Sequence, residues 1–133
     1  MAPLRDERGA AAIEMAIAFP VLVLMLWGIF QIGVAFQANA GMQHALGEGA
    51  RLASICQNPT TDGVCNTATN SEIEAKIRAK AFGTGIGQFV VGQIVDNNDY
   101  KDLSVTFRMP TNFLFFNGPV INISRSKRVY VAS

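Results

Sequence analysis

Glu14 is the one charged residue in the apolar run from Ala10 to Phe36. A charged side chain at the centre of a bilayer costs at least about 2.5 to 3.5 kcal/mol on insertion scales, so an acid kept near a helix end needs a partner or a task. The residues before it supply a candidate: Arg5-Asp6-Glu7-Arg8 is a short charged leader, and Gly9 closes it. A cut after Gly9 would create a new α-amino group on Ala10, one helical turn from Glu14 at the i, i+4 spacing that makes surface neighbours. That amine is mostly protonated below about pH 7.7 to 8.0, and an acid in the first turn also complements the positive end of the helix dipole. The carboxylate could equally meet the amino terminus of a neighbouring copy, which would turn the charge into a register device. The plainer reading is an acid near the membrane interface that snorkels to water.

Cys56 and Cys65 are the only cysteines. They close a loop, Gln57-Asn58-Pro59-Thr60-Thr61-Asp62-Gly63-Val64, that is rich in turn formers. A disulfide there would remove roughly 2 to 3 kcal/mol of denatured-chain entropy, and it requires an oxidising compartment such as a bacterial periplasm. Two cysteines and the single distant His44 do not supply a tetrahedral metal site. His44 has no acid or nucleophile beside it in sequence and reads as a polar-face residue. Gly83-Thr84-Gly85-Ile86-Gly87 follows a helical pattern and precedes a strand, the reverse of a nucleotide-binding loop, so it is expected to be a flexible turn. Asp96-Asn97-Asn98-Asp99 lacks the later glutamate and the glycine spacing of a calcium loop and is expected to be a hairpin turn. No set of residues points to catalysis, a cofactor or a small-molecule substrate. With a formal net charge of +1 and 16% charged residues, the chain has no broad basic surface for nucleic acid. Arg125, Lys127 and Arg128 form the one basic cluster and are expected on the solvated face of a terminal strand.

The elements that must position these residues follow from the pattern. As a helix, Ala10 to Phe36 would be about 40 Å long, enough to span a hydrocarbon core of about 30 Å. Arg5 and Arg8 place the amino terminus in the cytoplasm, because the positive-inside rule counts Lys and Arg. Ala38, Met42, Ala45, Leu46, Gly49, Leu52 and Ala53 continue at steps of three and four, so one helix is expected to run to Ile55 with an apolar stripe on its second half. Pro20 lacks an amide hydrogen and should kink or loosen it. Gly28, Gly33, Gly41, Gly47 and Gly49 would let other backbones approach closely; for Gly28 and Gly33 simple tolerance of glycine in lipid is an equal alternative. Ser71-Glu72-Ile73-Glu74 has a capping-box pattern and opens a second helix of about 12 residues, ending near Gly83. Four β-rich segments follow, at 89–95, 103–109, 120–124 and 128–131, and are expected to form an antiparallel sheet. The segment Phe113-Leu114-Phe115-Phe116 is more apolar than a connection requires, and either folds onto the core or forms a partner patch. The expected fold is α+β: a long helix, transmembrane then amphipathic, packed on a small antiparallel sheet. The expected divisions are a leader at 1–9, a membrane half at 10–36, an exported half of the helix at 37–55 and a small α+β domain at 56–133.

Arg8-Gly9-Ala10-Ala11-Ala12-Ile13-Glu14-Met15-Ala16, Pro20, Gly28-Ile29-Phe30-Gln31-Ile32-Gly33 and Gly47-Glu48-Gly49-Ala50-Arg51 together resemble the TadE-like family of the tight-adherence (Flp) pilus machinery. The resemblance covers roughly the first 55 residues. Met15 stands where these proteins usually have an aromatic residue, and Gln31 where an acid is common. The resemblance implies a pilin-like fold and a prepilin-like leader cut between Gly9 and Ala10 by a membrane prepilin peptidase, with Glu14 as the acid at mature position five. It also implies the inner membrane, the major Flp pilin, other minor pilins and the assembly platform as partners, with a periplasmic carboxy-terminal domain and incorporation into an extracellular filament as one outcome. It makes the chain a minor pilin or pseudopilin rather than an enzyme. The alternative on the same residues is an uncut single-pass anchor whose periplasmic domain binds an envelope component. A third reading, a soluble domain released after Ala38-Asn39-Ala40, conflicts with the helical periodicity that runs through that site.

Overall fold

A computed structural model describes residues 7–59, 65–83, 85–97, 99–112 and 117–131, with backbone alone at 7, 8, 58, 59 and 65. Phe113 to Phe116, most of the leader and most of the loop between the cysteines therefore lie outside the described residues. The chain divides into two units, Met1–Gly33 and Val34–Ser133. Helix α1, Glu7–Ser54, stays helical through Pro20 and carries the basic Arg51 in its last turn. In an apolar medium only a helix satisfies every backbone donor and acceptor within one segment, and the composition of the first half of α1 suits such a medium.

In the second unit the apolar stripe becomes a core. Ala38, Met42, Ala45, Leu46 and Ala53 are all buried, together with Val34 and Ala50. The small residues permit close approach. A side chain on Gly49 would run into Ile77, and one on Gly41 would strike the carbonyl oxygen of Phe82. Those contacts dock α2, Asn70–Lys80, whose Ile73 and Ile77 are fully buried, and the segment that follows it. Its start differs from expectation. Thr69, not Ser71, is the N-cap, and the box closes on Glu72: the Glu72 amide donates to Thr69 Oγ1 and the Thr69 amide donates to Glu72 Oε2 at 2.9 Å. Both frames have the right spacing; the Thr69 frame also turns Ile73 and Ile77 into the core.

The sheet is antiparallel around a central strand. We number the strands β1 (Asn58–Pro59), β2 (Cys65–Asn66), β3 (Gln88–Val91), β4 (Val95–Asp96), β5 (Tyr100–Asn112) and β6 (Asn117–Tyr130). Among the described residues β1 and β2 pair only with each other, while β3, β4 and β6 all pair with β5. β6 occupies one edge of β5 along its length, so β3 and β4 share the other. Along β5 every second residue from Lys101 to Thr111 is buried. The expected α+β class holds, with a long amino-terminal helix and a small antiparallel sheet.

Two strand boundaries differ from the sequence reading. The segment 89–95 is not one strand. Val91 pairs with Val105 and Val95 with Asp102, so this edge advances four residues while β5 advances three. The extra residue breaks the ladder after Gly92, whose lack of a side chain admits Ser104; the Gly92 amide donates to the Ser104 carbonyl at 2.9 Å. Interruptions of this kind are where a strand glycine is expected. Conversely, 120–124 and 128–130 are parts of the continuous β6, which ends one residue before the expected 131, because Arg125, Ser126 and Lys127 keep register with Val105, Ser104 and Leu103. Three consecutive polar residues broke the sequence pattern without breaking the ladder.

Candidate functional site

Gly9, Ala10 and Glu14 all lie on α1, with Ala10 and Glu14 exposed one turn apart. Among the described residues, no ion pair or hydrogen bond reaches the Glu14 carboxylate. Its surroundings are apolar side chains open to the exterior: Ile13, Met15, Ile17, Phe19, Leu22 and Met25 are each more than half exposed. Glu14, Met15, Ala18 and Leu22 line a shallow apolar groove along this part of the helix. Exposed side chains of this size on a helix require lipid or protein around them. The described residues contain one helix long and apolar enough to cross a membrane, with the span starting at Gly9. It has the length and composition of a single-pass anchor. Among the described residues nothing lies close to Gly28 or Gly33, in contrast to Gly41 and Gly49.

Cys56 lies just past the end of α1, and the backbone of Cys65 lies in β2 opposite Pro59. The Gln57 amide donates to the Asn66 carbonyl at 3.0 Å, so the residues following the two cysteines are bonded across the ladder. Of the turn expected at Asp96–Asp99, Asn98 lies outside the described residues; on either side of it Asn97 and Tyr100 exchange amide-to-carbonyl bonds of 2.9 and 3.3 Å, as across a hairpin. The His44 ring stands edge-on to Phe82, with centroids 5.8 Å apart.

The basic cluster is divided between two faces, which corrects its placement on one solvated face. Side chains alternate across a strand. Arg125 and Lys127 stand opposite the buried Val105 and Leu103 and so share the helix-covered side, at its open margin. Arg125 Nε donates to Asn39 Oδ1 of α1 at 2.7 Å. Arg128 is on the other face, where it donates to both Asp102 oxygens at 2.8 and 2.9 Å and lies 4.1 Å from the Tyr100 ring centre. These hydrogen bonds hold the Asp102 carboxyl below its ordinary range and raise Arg128 above its own.

Sequence reasoning also missed Lys101, which is buried beside the start of α2. Its Nζ bonds Asn70 Oδ1 at 2.8 Å and pairs with Asp96 Oδ2 at 3.1 Å, and Asn70 Nδ2 closes the triangle at 3.2 Å. The signal was present in the alternation of β5, where Lys101 shares the parity of Leu103 and Val105. A lysine at that parity points inward and needs an acid there. The network fastens α2 to the sheet.

Residues 9–51 match the family model of TadE-like protein. This is the family that the leader and helix motifs resemble, and the matched segment begins at Gly9 and contains Glu14. It links the chain to the pilus system of that family. No curated protein and no solved structure matches the chain.

Proposed function

We propose that this chain is a TadE-like minor pilin or pseudopilin that takes part in assembling a tight-adherence (Flp, type IV-like) pilus. On this reading a membrane prepilin peptidase removes residues 1–9 on the cytoplasmic side, and the amine of Ala10 and the carboxylate of Glu14 become the charged end of an otherwise apolar rod. The rod packs beside the helices of the major pilin and other minor pilins on the assembly platform, while the domain after residue 36 faces the periplasm. A Cys56–Cys65 disulfide then locks the small β1–β2 ladder, a role supported by the hydrogen bond from Gln57 to Asn66. The chemistry is done to this protein and not by it.

The observation that carries the proposal is the coincidence of the family match with an acid that has no partner among the described residues, on a helix whose large apolar side chains are exposed. In lipid such an acid is costly alone. A neighbouring amino terminus would compensate it, whether its own after cleavage or that of an adjacent subunit.

Processing is the direct test. Amino-terminal sequencing of membrane-extracted protein should begin at Ala10, and Gly9→Ala should leave the leader attached and abolish piliation. A native terminus at Met1 or Ala2 would establish the uncut anchor instead.

A further inference from the structure

Lys101 is the one buried charged side chain among the described residues, and it faces an amide as well as an acid. Its Nζ lies 2.8 Å from Asn70 Oδ1 and 3.1 Å from Asp96 Oδ2. The same Asp96 oxygen accepts from Asn70 Nδ2 at 3.2 Å. A C=O bond is about 1.2 Å long, so the carbonyl carbon of Asn70 lies within about 4 Å of the lysine nitrogen. A rotation of the Asn70 amide closes that gap to the roughly 3 to 3.5 Å at which reacting atoms meet.

The elements that carry these groups hold them in place. Asp96 of β4 and Lys101 of β5 are direct cross-strand partners on one face, and the Asn97 and Tyr100 bonds fix the connection between them. Asn70 opens α2, whose start is set by the Thr69–Glu72 capping box. The orientation of the Asn70 amide is dictated as well: its oxygen must face the ammonium donor and its nitrogen the carboxylate acceptor. The set thus contains a lysine amine, a carboxamide, and an acid whose one oxygen touches both the incoming and the departing nitrogen. Neutralising Lys101 needs only Asp96; the amide supplies an acyl group that an amine can attack. The Lys101 side chain is closed off from solvent, while Asp96 is 45% exposed and gives a leaving group a way out.

We propose that Lys101 and Asn70 join in an intramolecular isopeptide bond, with Asp96 as the proton carrier. Asp96 takes a proton from the Lys101 ammonium, and the freed amine attacks Asn70 Cγ. Negative charge develops on Oδ1 at the first residue of α2, where the helix dipole is positive. Asp96 then passes its proton to Nδ2 and takes a second one from Nζ as the Cγ–Nδ2 bond breaks. Ammonia departs and carries that second proton away. In sum, one lysine ammonium and one carboxamide become one secondary amide and one ammonium ion; Asp96 is regenerated, and no oxidant, reductant or other reactant is consumed. The reaction is the chain's own, separate from cleavage of the leader. It staples the start of α2 to the central strand β5, and it stands whether or not the chain enters a pilus.

The test is mass spectrometry of the full chain, extracted in detergent and reduced. The intact protein should be lighter by one molecule of ammonia than the mass calculated from its own amino terminus. Trypsin should release residues 52–76 joined to residues 81–108 as one branched peptide, uncut after Lys101 and stable to reductant. Asp96→Asn keeps the shape of the side chain but cannot carry the proton, and should lower the yield of branched peptide at least roughly 100-fold. Lys101→Arg keeps the cation without a nucleophilic amine and should abolish it. A wild-type chain of full mass, cut after Lys101, would overturn the proposal without reference to any variant. Loss of ammonia with no branched peptide would identify a cyclised asparagine and overturn it too. An undiminished cross-link in Asp96→Asn would overturn the role given to Asp96.

Discussion

The two halves of α1 share a backbone and an apolar composition but solve opposite problems. Before residue 34 the large side chains Ile13, Ile17, Phe19, Met25 and Ile29 point outward and are more than half exposed. After it the stripe sets Met42 and Leu46 among Ala38, Gly41, Ala45, Gly49 and Ala53, and all of these are buried. Apolar side chains alone do not tell a helix where to stop seeking lipid and start packing on protein. The placing of glycines does: Gly41 and Gly49 let α2 and the segment after it approach the helix backbone, and the large Met42 and Leu46 between them are packed as a result.

Glycine replacement should break this contrast most sharply. Gly41→Val puts atoms on the Phe82 carbonyl, a backbone group that cannot swing aside, and should destabilise the second unit by about 3 kcal/mol. Gly28→Val, with nothing close by among the described residues, should stay within about 0.5 kcal/mol. Thermal unfolding of both variants in the same detergent checks the difference, and equal losses would mean that the two halves do not differ as described.

A smaller effect distinguishes the two capping frames of α2. Thr69→Ala should cost about 1 kcal/mol, and Ser71→Ala less than about 0.5 kcal/mol. The reverse order in denaturant melts would restore the frame expected from sequence.

The smallest effect concerns the outer face of the sheet. Hydrogen bonds from Arg128 lower the folded-state pKa of Asp102, so the pair contributes fully above the unfolded value of about 3.9 and is lost as pH falls through the lower folded value. Both side chains are partly exposed, and solvent and salt screen them. Asp102→Asn should flatten the acid limb of the stability profile slightly, and the difference should fade in high salt. Superimposable acid limbs for the two proteins would contradict the assignment.

What could be read from the sequence followed periodicity. The stripe Ala38, Met42, Ala45, Leu46, Gly49 and Ala53 was legible because helix spacing and burial coincide, and Leu103 to Met109 because strand alternation does the same. The continuity of β6 was not, since Arg125-Ser126-Lys127 looks like a turn until cross-strand partners are known. Lys101 and the split of the basic cluster were hidden for a related reason: parity within a strand becomes informative only once the neighbouring strand fixes which face is inside. The break at Gly92 depends on Ser104 across the ladder, a contact that no local pattern encodes. Glu14 stood out in sequence because a lone charge in an apolar run is conspicuous without any tertiary information.

Glu14 is also where the account is tested most directly. Glu14→Ala and Glu14→Gln should insert and be cut normally, because removing a charge from an apolar segment lowers the cost of insertion by a few kcal/mol. Following membrane level, leader removal and co-purification with other pilins in both variants should show the first two intact and the third lost. A defect shared by Ala and Gln identifies the charge as the requirement, while one confined to Ala identifies hydrogen bonding or packing. Normal co-purification in both variants would contradict the assignment of Glu14 as the residue that joins this helix to its neighbours.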